Sequence, residues 1–149
     1  MIREPLQKWH INTFRPQSNQ AEAFWNLDEN EILHEGLAFA VIEQNEDQVE
    51  EAFAIFWLRP LDEHGRYLAL AYLSEDLGPR RLLSISREAR DFIDNWGSYR
   101  RVEAYSAEDE IDGLHWCRYV LKMDYEGRLR SFLPDGRDMY LFSRVNNGR

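Results

Sequence analysis

The sequence predicts a mixed α/β fold built around one parallel pair of strands. Residues 67–73 form a nearly unbroken apolar run, YLALAYL, which is typical of a central strand buried on both faces. A Gly78-Pro79 turn follows, and apolar residues then recur at spacings of three and four up to Trp96, which predicts an amphipathic helix. If this helix crosses over one sheet, the short strand predicted at 101–105 must run parallel to 67–73.

The first third of the chain predicts short elements. Alternation over 6–14 predicts a strand, and Ser18 is a candidate N-cap for a helix that runs to about Leu27. Residues 28–36 predict a second short helix or turn, closed by Gly36. Two strands, 37–43 and 51–58, then flank an acidic loop at 44–50. The carboxylates of this loop lack the spacing that wraps calcium, so we expect a solvated hairpin end.

The last third predicts a helix and a hairpin. Acidic residues after Ala107 suit the positive end of a helix dipole, which favours a helix from there to about Leu121. Strands at 122–132 and 139–145 follow, and Asp135-Gly136 between them is a strong hairpin signal.

Composition limits the classes of protein to which this chain can belong. Its 149 residues are enough for one domain, spanning 1–149, and 44% of them are apolar. The net charge of −9 argues against nonspecific nucleic-acid binding, which needs clustered Lys and Arg. One cysteine, Cys117, excludes an intrachain disulfide and indicates a reducing compartment. No apolar run approaches ~18 residues and no signal peptide is evident, so we expect a cytoplasmic protein without a membrane partner.

Six short motifs carry a family resemblance. They are, with the number of the first residue, FRPQ at 14, LSEDLG at 73, RVEA at 101, HWCR at 115, LPDGRD at 133 and LFSRV at 141. This set resembles the small GNAT (Gcn5-related N-acetyltransferase)-like proteins of tailed phages and prophages. The resemblance implies a GNAT-like fold, with a central mixed sheet of about seven strands, a splayed parallel pair and flanking helices.

The resemblance leaves two main functions open, because that group includes acetyltransferases and internal virion proteins ejected with the genome. The first is an acetyl-CoA-dependent N-acyltransferase that acts on a small amine or a protein amine. The second is a noncatalytic phage virion or host-interaction protein, whose partners would be other virion proteins. The corresponding locations are the cytoplasm of a bacterial host and the virion. A weaker third option is a host-directed inhibitor whose acidic surface mimics nucleic acid.

The resemblance also implies where a cofactor would bind. In a GNAT, the pantetheine arm pairs with exposed backbone between the splayed strands, and the pyrophosphate lies on a turn written Q/R-x-x-G-x-G/A. That turn falls on residues 75–80, where Gly78 agrees, Glu75 brings negative charge and Pro79 removes an amide. The candidate cofactor residues are Leu73, Ser74, Gly78, Arg80 and Arg81.

Arg80 and Arg81 occupy an unfavourable position for cations. They lie in the first turn of the predicted helix, where the helix dipole disfavours a positive charge by about 0.3–1 kcal/mol. A local rule broken in this way often marks a site, and two guanidinium groups could bind phosphate. The alternative is that they pair with Glu75, Asp76 or a neighbouring acidic loop.

The candidate catalytic residues also come from the resemblance, which calls for a general base and a tyrosine that protonates the leaving thiolate. The tyrosine nearest the expected position is Tyr119, although the Gly-Phe pair that should follow is replaced by Lys122-Met123. The alternative for Tyr119 is a buried aromatic residue. Glu103 and Glu75 are the candidate bases, with surface or paired carboxylates as the alternative for each.

No other enzyme chemistry is indicated. The histidines His10, His34, His64 and His115 lack metal-ligand spacing, and no second cysteine exists to build a zinc site. We therefore predict no metal site.

Overall fold

The computed structural model describes residues 1–44 and 50–146. The predicted acidic loop therefore lies, apart from its two end residues, outside the described residues. The elements, in chain order, are β1 Ile2–Pro5, α1 Lys8–Thr13, α2 Ala21–Trp25, α3 Glu29–His34, β2 Leu37–Gln44, β3 Glu50–Pro60, β4 Arg66–Leu73, α4 Pro79–Asn95, β5 Arg101–Ala107, α5 Ile111–His115, a π-helical turn Trp116–Val120, β6 Asp124–Leu129 and β7 Met139–Val145.

The described strands form a seven-stranded sheet in the order β1-β2-β3-β4-β5-β7-β6. The β1-β2, β2-β3, β5-β7 and β6-β7 pairs are antiparallel, whereas β4 and β5 are parallel. The parallel register joins Arg66–Leu68 to Arg101–Glu103, although β4 continues to Leu73 and β5 to Ala107. The predicted mixed α/β fold, with about seven strands and a splayed parallel pair, is confirmed.

Backbone contacts divide the chain into two compact units, and each unit takes one part of β4 and one part of α4. The first unit comprises residues 1–59 and 70–89, and the second comprises 60–69 and 90–149. The prediction of one domain over 1–149 stays a prediction.

The core of the first unit is aromatic. It consists of Phe14, Phe24, Ile32, Ile55, Trp57 and Tyr72. The Phe24 ring lies 5.1 Å from that of Phe14 and 5.4 Å from that of Tyr72, measured between centroids. Burial of such rings is the largest apolar contribution that a small unit can make to its stability. Phe14 and Phe24 thereby anchor the segment between them, residues 15–23, at both ends.

In the second unit, most residues of β5 are buried, as expected of a strand covered on both faces. Helix α5 lies close against it, because a Cβ added to Gly113 would approach Ser106 Oγ to 2.7 Å. The absence of a side chain at Gly113 therefore permits this packing.

The predicted strand at 6–14 is wrong, because β1 ends at Pro5 and residues 8–13 form α1. A local hydrogen-bond network explains the difference. The Gln7 amide donates to Nδ1 of the fully buried His10 at 2.8 Å, and His10 Nε2 lies 2.6 Å from a Glu4 carboxylate oxygen. These bonds cap the first turn of a helix and prevail over the alternating pattern.

Ser18 is not the helix cap that the sequence suggested, since α2 begins at Ala21 and its N-cap is Gln20. The short helix predicted after Leu27 is confirmed as α3. Asp28 caps it, because its Oδ1 accepts hydrogen bonds from the amides of Asn30 and Glu31 at 2.9 and 3.4 Å.

The helix predicted from Ala107 to Leu121 is wrong in its first part and irregular in its second. Strand β5 extends to Ala107, and α5 begins only at Ile111. The Glu108 amide donates to the carbonyl of Asp138, which keeps this part of the chain beside the β6-β7 connection. The Leu121 amide then bonds the carbonyl of Trp116 five residues earlier, which makes the turn π-helical.

The closing hairpin is confirmed, with β6 shorter than predicted. The strand stops at Leu129 because Ser131 adopts a positive φ of 50° and its amide donates to Asp138 Oδ1 at 2.8 Å.

Candidate functional site

The six candidate residues between Leu73 and Arg81 lie on one continuous stretch of the first unit, where β4 ends and α4 begins. Ser74 is buried, and its amide donates to the carbonyl of Phe53 on β3. The Asp76 amide then lies 3.3 Å from Ser74 Oγ, which turns the chain away from the strand. Helix α4 starts at Pro79, which has no amide hydrogen to leave unpaired at a first helical position.

Arg81 is held by three neighbours. Its Nε donates to Glu43 Oε2 at 3.2 Å and its Nη1 donates to the Asp76 carbonyl at 3.3 Å. Its guanidinium carbon also lies 4.2 Å from the ring centroid of Phe53. Arg81 therefore pairs with a carboxylate, as the alternative to phosphate binding expects, but that carboxylate belongs to Glu43, and Asp76 takes part through its backbone carbonyl.

Arg80 differs from its neighbour. Its side chain is exposed, and among the described residues no ion pair or side-chain hydrogen bond is made by its guanidinium group. A Cβ added to Gly78 would meet nothing within 4 Å, so the space beside the turn is open. Within the part of the chain that the structure describes, the guanidinium group of Arg80 is thus a cation without an ionic partner at the positive end of a 17-residue helix.

Glu75 is an exposed carboxylate beside the same turn. Arg15 Nε lies 3.7 Å from its Oε1, and their side chains are 68% and 50% exposed, respectively. Exposed ion pairs of this kind contribute less than about 1 kcal/mol. The contact partly offsets the negative charge of Glu75 near the turn.

The backbone edge of β4 opposite β3 carries a further set of bonds. Because alternate residues of a strand point their N–H and C=O groups to opposite edges, and Ser74 points to β3, residues 71, 73 and 75 point away from β3. The Leu73 carbonyl accepts from the Gln17 amide at 2.9 Å, and the Glu75 amide donates to the Arg15 carbonyl at 3.0 Å.

The side chain of Gln20 completes this set. Its Nε2 donates to the Ala71 carbonyl at 2.9 Å, and its Oε1 accepts from the Leu73 amide at 2.8 Å. An isolated bridge between Pro16 and Ser74 shows that the pairing is antiparallel. We call residues 15–20 the edge segment, because they occupy this edge of β4. No local sequence pattern indicates that Arg15, Gln17 and Gln20 bind this edge, because their partners lie more than 50 positions away.

In the second unit, Glu103 is the centre of an ion-pair cluster and is 3% exposed. Arg66 donates to its two carboxylate oxygens from Nε at 2.6 Å and from Nη2 at 3.1 Å, and Arg101 Nε donates to its Oε1 at 2.7 Å. The hydrogen bond from Arg66, followed by that from Arg101, lowers the pKa of Glu103. These contacts favour the paired-carboxylate interpretation of Glu103, since a carboxylate with a lowered pKa is a weak base.

Arg101 extends the cluster to Glu126, with which it forms a two-point ion pair. The bond from Arg101 and a second bond from the Ser143 hydroxyl lower the pKa of Glu126 to about 2. The cluster joins β4, β5, β6 and β7 through side chains, which is a structural role.

Tyr119 is not the buried aromatic residue that the sequence left open as the alternative to a general acid. It lies in the π-helical turn and is 63% exposed. Its ring centroid is 5.7 Å from that of His115 and 5.7 Å from the guanidinium carbon of Arg118. Among the described residues, these contacts of Tyr119 do not include Glu103. The structure therefore does not bring the candidate general acid and this candidate base together.

Lys122 is the first residue of the Lys122-Met123 pair, which replaces the Gly-Phe pair expected from the family resemblance. It adopts a φ of 53°, the left-handed region that glycine usually occupies after a helix. The backbone conformation typical of glycine is thus retained without the glycine.

A cavity of about 260 Å³ lies in the first unit beneath α1, α2 and α3. It is lined by Ile11, Asn12, Phe24, Trp25, Leu27, Glu29 and Ile32. Glu29 Oε1 is buried without a hydrogen bond, and the Nζ of Lys8 lies 3.9 Å from it. The lining of the cavity is therefore mixed, with Asn12 and Glu29 as its polar members, and Lys8 is the cationic neighbour of Glu29.

Among the described residues, no group of histidine, cysteine, aspartate and glutamate residues is arranged to hold a metal ion. Cys117 is buried, and burial raises the pKa of its thiol to about 11, which makes it unreactive. No helix among the described residues has the length and apolar character that crossing a membrane requires.

The arrangement of strand, turn and helix has many counterparts among solved structures. The Arabidopsis thaliana NAA60 structure in complex with acetyl-CoA matches with a TM-score of 0.67 at 14% identity, over 97% of this chain and 98% of that one. An acetyltransferase of the GNAT family from Bacillus anthracis matches with a TM-score of 0.57 at 10% identity, over 73% of this chain and 66% of that one. This chain has the GNAT fold.

A third GNAT-fold match is the spermidine/spermine N-acetyltransferase SpeG from Vibrio cholerae, in complex with manganese ions. Its TM-score is 0.66 at 12% identity, over 97% of this chain and 92% of that one. No protein-family model and no curated protein matches the sequence. The similarity therefore lies in the fold, and function has to be argued from the residues of this chain.

Proposed function

We propose that this protein is an acyl-CoA-binding N-acyltransferase of GNAT fold that holds the phosphates of acetyl-CoA at the first turn of α4. The observation that carries this proposal is the guanidinium group of Arg80, which has no ionic partner among the described residues and lies beside the open turn at Gly78. A cation in this position is unfavourable for the helix itself, but it suits a ligand that brings negative charge.

A phosphate group would gain three interactions at this turn. The unpaired amides at the start of α4 point outward, the helix dipole favours an anion, and Arg80 can donate two charge-assisted hydrogen bonds. Arg81 has a supporting role, because its bonds to Glu43 and to the Asp76 carbonyl fix the shape of the turn. Leu73 and Ser74 set the end of β4 from which the turn departs.

The fit to acetyl-CoA is incomplete at the phosphate end and poor along β4. Pro79 supplies no amide and Glu75 adds a carboxylate, which Arg15 partly offsets at 3.7 Å. The edge of β4 opposite β3 is already hydrogen-bonded to the edge segment. We therefore expect weaker binding than an open edge and a glycine-rich turn would give.

Acetyl-CoA would supply an activated acyl group when bound. Of the candidate catalytic residues, Tyr119 presents an exposed side chain and remains our candidate proton donor, through its phenol oxygen. Glu75 is the better of the two candidate bases, because it is exposed, whereas Glu103 is committed to Arg66 and Arg101.

We propose an amine as the acyl acceptor. The solved GNAT-fold structures include a spermidine/spermine N-acetyltransferase and a ribosomal-protein-S5-alanine acetyltransferase. In this chain, the cavity beneath α1, α2 and α3 combines the Phe24 and Trp25 rings with the buried Oε1 of Glu29. A protonated small amine or a protein amine matches that combination of cation–π and carboxylate groups.

A noncatalytic role in a phage virion, or against host proteins, is the second candidate function. The observation that favours it is the occupied edge of β4, since a protein that never binds a cofactor needs no free edge. The bacterial cytoplasm and the virion are the corresponding locations. Mass spectrometry of purified particles tests this candidate, which requires the protein to be present in virions.

Calorimetric titration with acetyl-CoA tests the first candidate. We expect binding by the wild type and about tenfold or weaker affinity in Arg80→Ala, because a hydrogen bond to a charged group contributes about 1.5–3 kcal/mol. Arg87→Ala is the matched control, since it removes the same charge from an exposed position further along α4. No heat at millimolar acetyl-CoA, or equal losses in the two variants, would contradict the proposal.

A further inference from the structure

We infer that the edge segment, residues 15–20, competes with the pantetheine arm of acyl-CoA for the edge of β4, and that Gln20 sets the affinity for the cofactor. This inference rests on the proposed function. It starts from the four hydrogen bonds that the segment makes to residues 71, 73 and 75.

The edge segment and a pantetheine arm offer the same kinds of hydrogen-bonding groups to the edge of β4. A pantetheine arm carries two secondary amides, so it offers the same donors and acceptors as a peptide. A strand edge with free N–H and C=O groups binds such a ligand as it would bind another strand. On β4 those groups are the Ala71 carbonyl, the Leu73 amide and carbonyl, and the Glu75 amide, and each is bonded to the edge segment.

Within the edge segment, the side-chain amide of Gln20 is the group that most closely resembles an amide of the pantetheine arm. Its primary amide bridges the Ala71 carbonyl and the Leu73 amide at 2.9 and 2.8 Å, so one side chain takes both a donor and an acceptor of the strand. A ligand amide can bond to those two groups only after the Gln20 side chain has left. The affinity measured for acyl-CoA then includes the cost of breaking these bonds.

The surroundings permit the segment to move without unfolding the unit. Phe14 and Phe24 are buried in the aromatic core on either side of it, at 2% and 3% exposure. Between them, Arg15, Ser18 and Asn19 are exposed, whereas Pro16 is buried. Release of residues 15–20 therefore breaks the four hydrogen bonds to β4 and exposes Pro16, while the two core anchors stay in place.

The test compares two ligands in three proteins by calorimetry. Gln20→Ala removes both bonds of the side-chain amide, and Asn26→Ala is the control because it removes an exposed amide from the C-cap of the same helix, α2. Acetyl-CoA carries the pantetheine arm, whereas ADP carries a pyrophosphate without it. If Gln20→Ala proves unstable by circular dichroism, Gln20→Met replaces it, since Met keeps the length of the side chain without the amide.

We expect Gln20→Ala to bind acetyl-CoA on the order of five- to tenfold more tightly than the wild type, as the loss of two competing hydrogen bonds implies. Binding of ADP should be unchanged, and Asn26→Ala should match the wild type with both ligands.

Three outcomes would overturn the inference. Equal affinity of the wild type and Gln20→Ala for acetyl-CoA would reject the competition and leave the proposed function intact. Weaker binding by Gln20→Ala would show that Gln20 contacts the cofactor as a ligand. Absence of acetyl-CoA binding in both proteins would reject the inference together with the proposed function.

Discussion

The first turn of α4 and the Glu103 cluster both place arginines next to carboxylates, but they use them differently. In the cluster, Glu103 is 3% exposed and receives three hydrogen bonds from Arg66 and Arg101. At the turn, Arg81 and Glu43 form a single ion pair in which each side chain is 41% exposed, and Arg80 has no ion pair among the described residues. The first arrangement commits its arginines to a buried carboxylate, whereas the second leaves Arg80 without an ion pair among the described residues.

The difference concerns how much the stability of the protein depends on each arginine–carboxylate pair. A buried carboxylate that has lost its arginines is costly, while an exposed pair contributes little in either direction. Arg80, which has no ion pair among the described residues, therefore lies in the exposed region, where the loss of an ion pair changes stability least. The same contrast distinguishes the candidate bases, because Glu103 stabilises the sheet and Glu75 is solvated.

Glu103→Gln should have the largest effect on stability, because it leaves Arg66 and Arg101 beside a neutral group in a buried position. We expect a loss of about 2–3 kcal/mol in the free energy of unfolding, below the usual range for a buried pair because Arg66 is half-exposed. Chemical denaturation monitored by tryptophan fluorescence measures it.

Glu43→Gln is the matched control for Glu103→Gln. Its pair with Arg81 is exposed, so its loss should stay under about 1 kcal/mol. Equal losses in the two variants would remove the distinction between the two regions.

Lowering the pH should reduce the free energy of unfolding gradually through the Glu103 cluster, and by less than Glu103→Gln does. The pKa values of Glu103 and Glu126 lie below their ordinary value of 4.5 in the folded protein, that of Glu126 at about 2. A lowered folded-state pKa contributes stability that is complete above about pH 5 and is lost as the pH falls toward 2. The slope of unfolding free energy against pH in this window should therefore be positive.

Denaturation at several values of pH checks this slope, and Glu103→Gln should flatten it because one of the two carboxyls no longer titrates. A slope equal to that of the wild type would show that Glu103 does not contribute to acid sensitivity.

Local patterns were sufficient to predict the centre of the fold. The YLALAYL run, the Gly78-Pro79 turn and the stepping of apolar residues to Trp96 each belong to one element, and β4, α4 and the parallel β5 follow from them. Leu73, Ser74, Gly78, Arg80 and Arg81 lie on one stretch because they are near one another in sequence, and their role at a cofactor stays a prediction.

What the sequence did not reveal depends on contacts between distant residues. Gln20 bonds to Leu73 across 53 positions, and Arg81 bonds to Glu43 across 38, so no local pattern connects either pair. Near the N-terminus, the bonds of His10 turned an alternating segment into a helix. At Tyr119, the π-helical turn changed which residues face solvent.

Amide hydrogen exchange at Gln17 tests most directly whether acyl-CoA binds along β4 in place of the edge segment. In the free protein this amide is bonded to the Leu73 carbonyl at 2.9 Å and should exchange slowly. We predict that saturating acetyl-CoA makes the Gln17 amide exchange faster, while ADP leaves it unchanged. Unchanged or slower exchange of the Gln17 amide with acetyl-CoA would contradict the account.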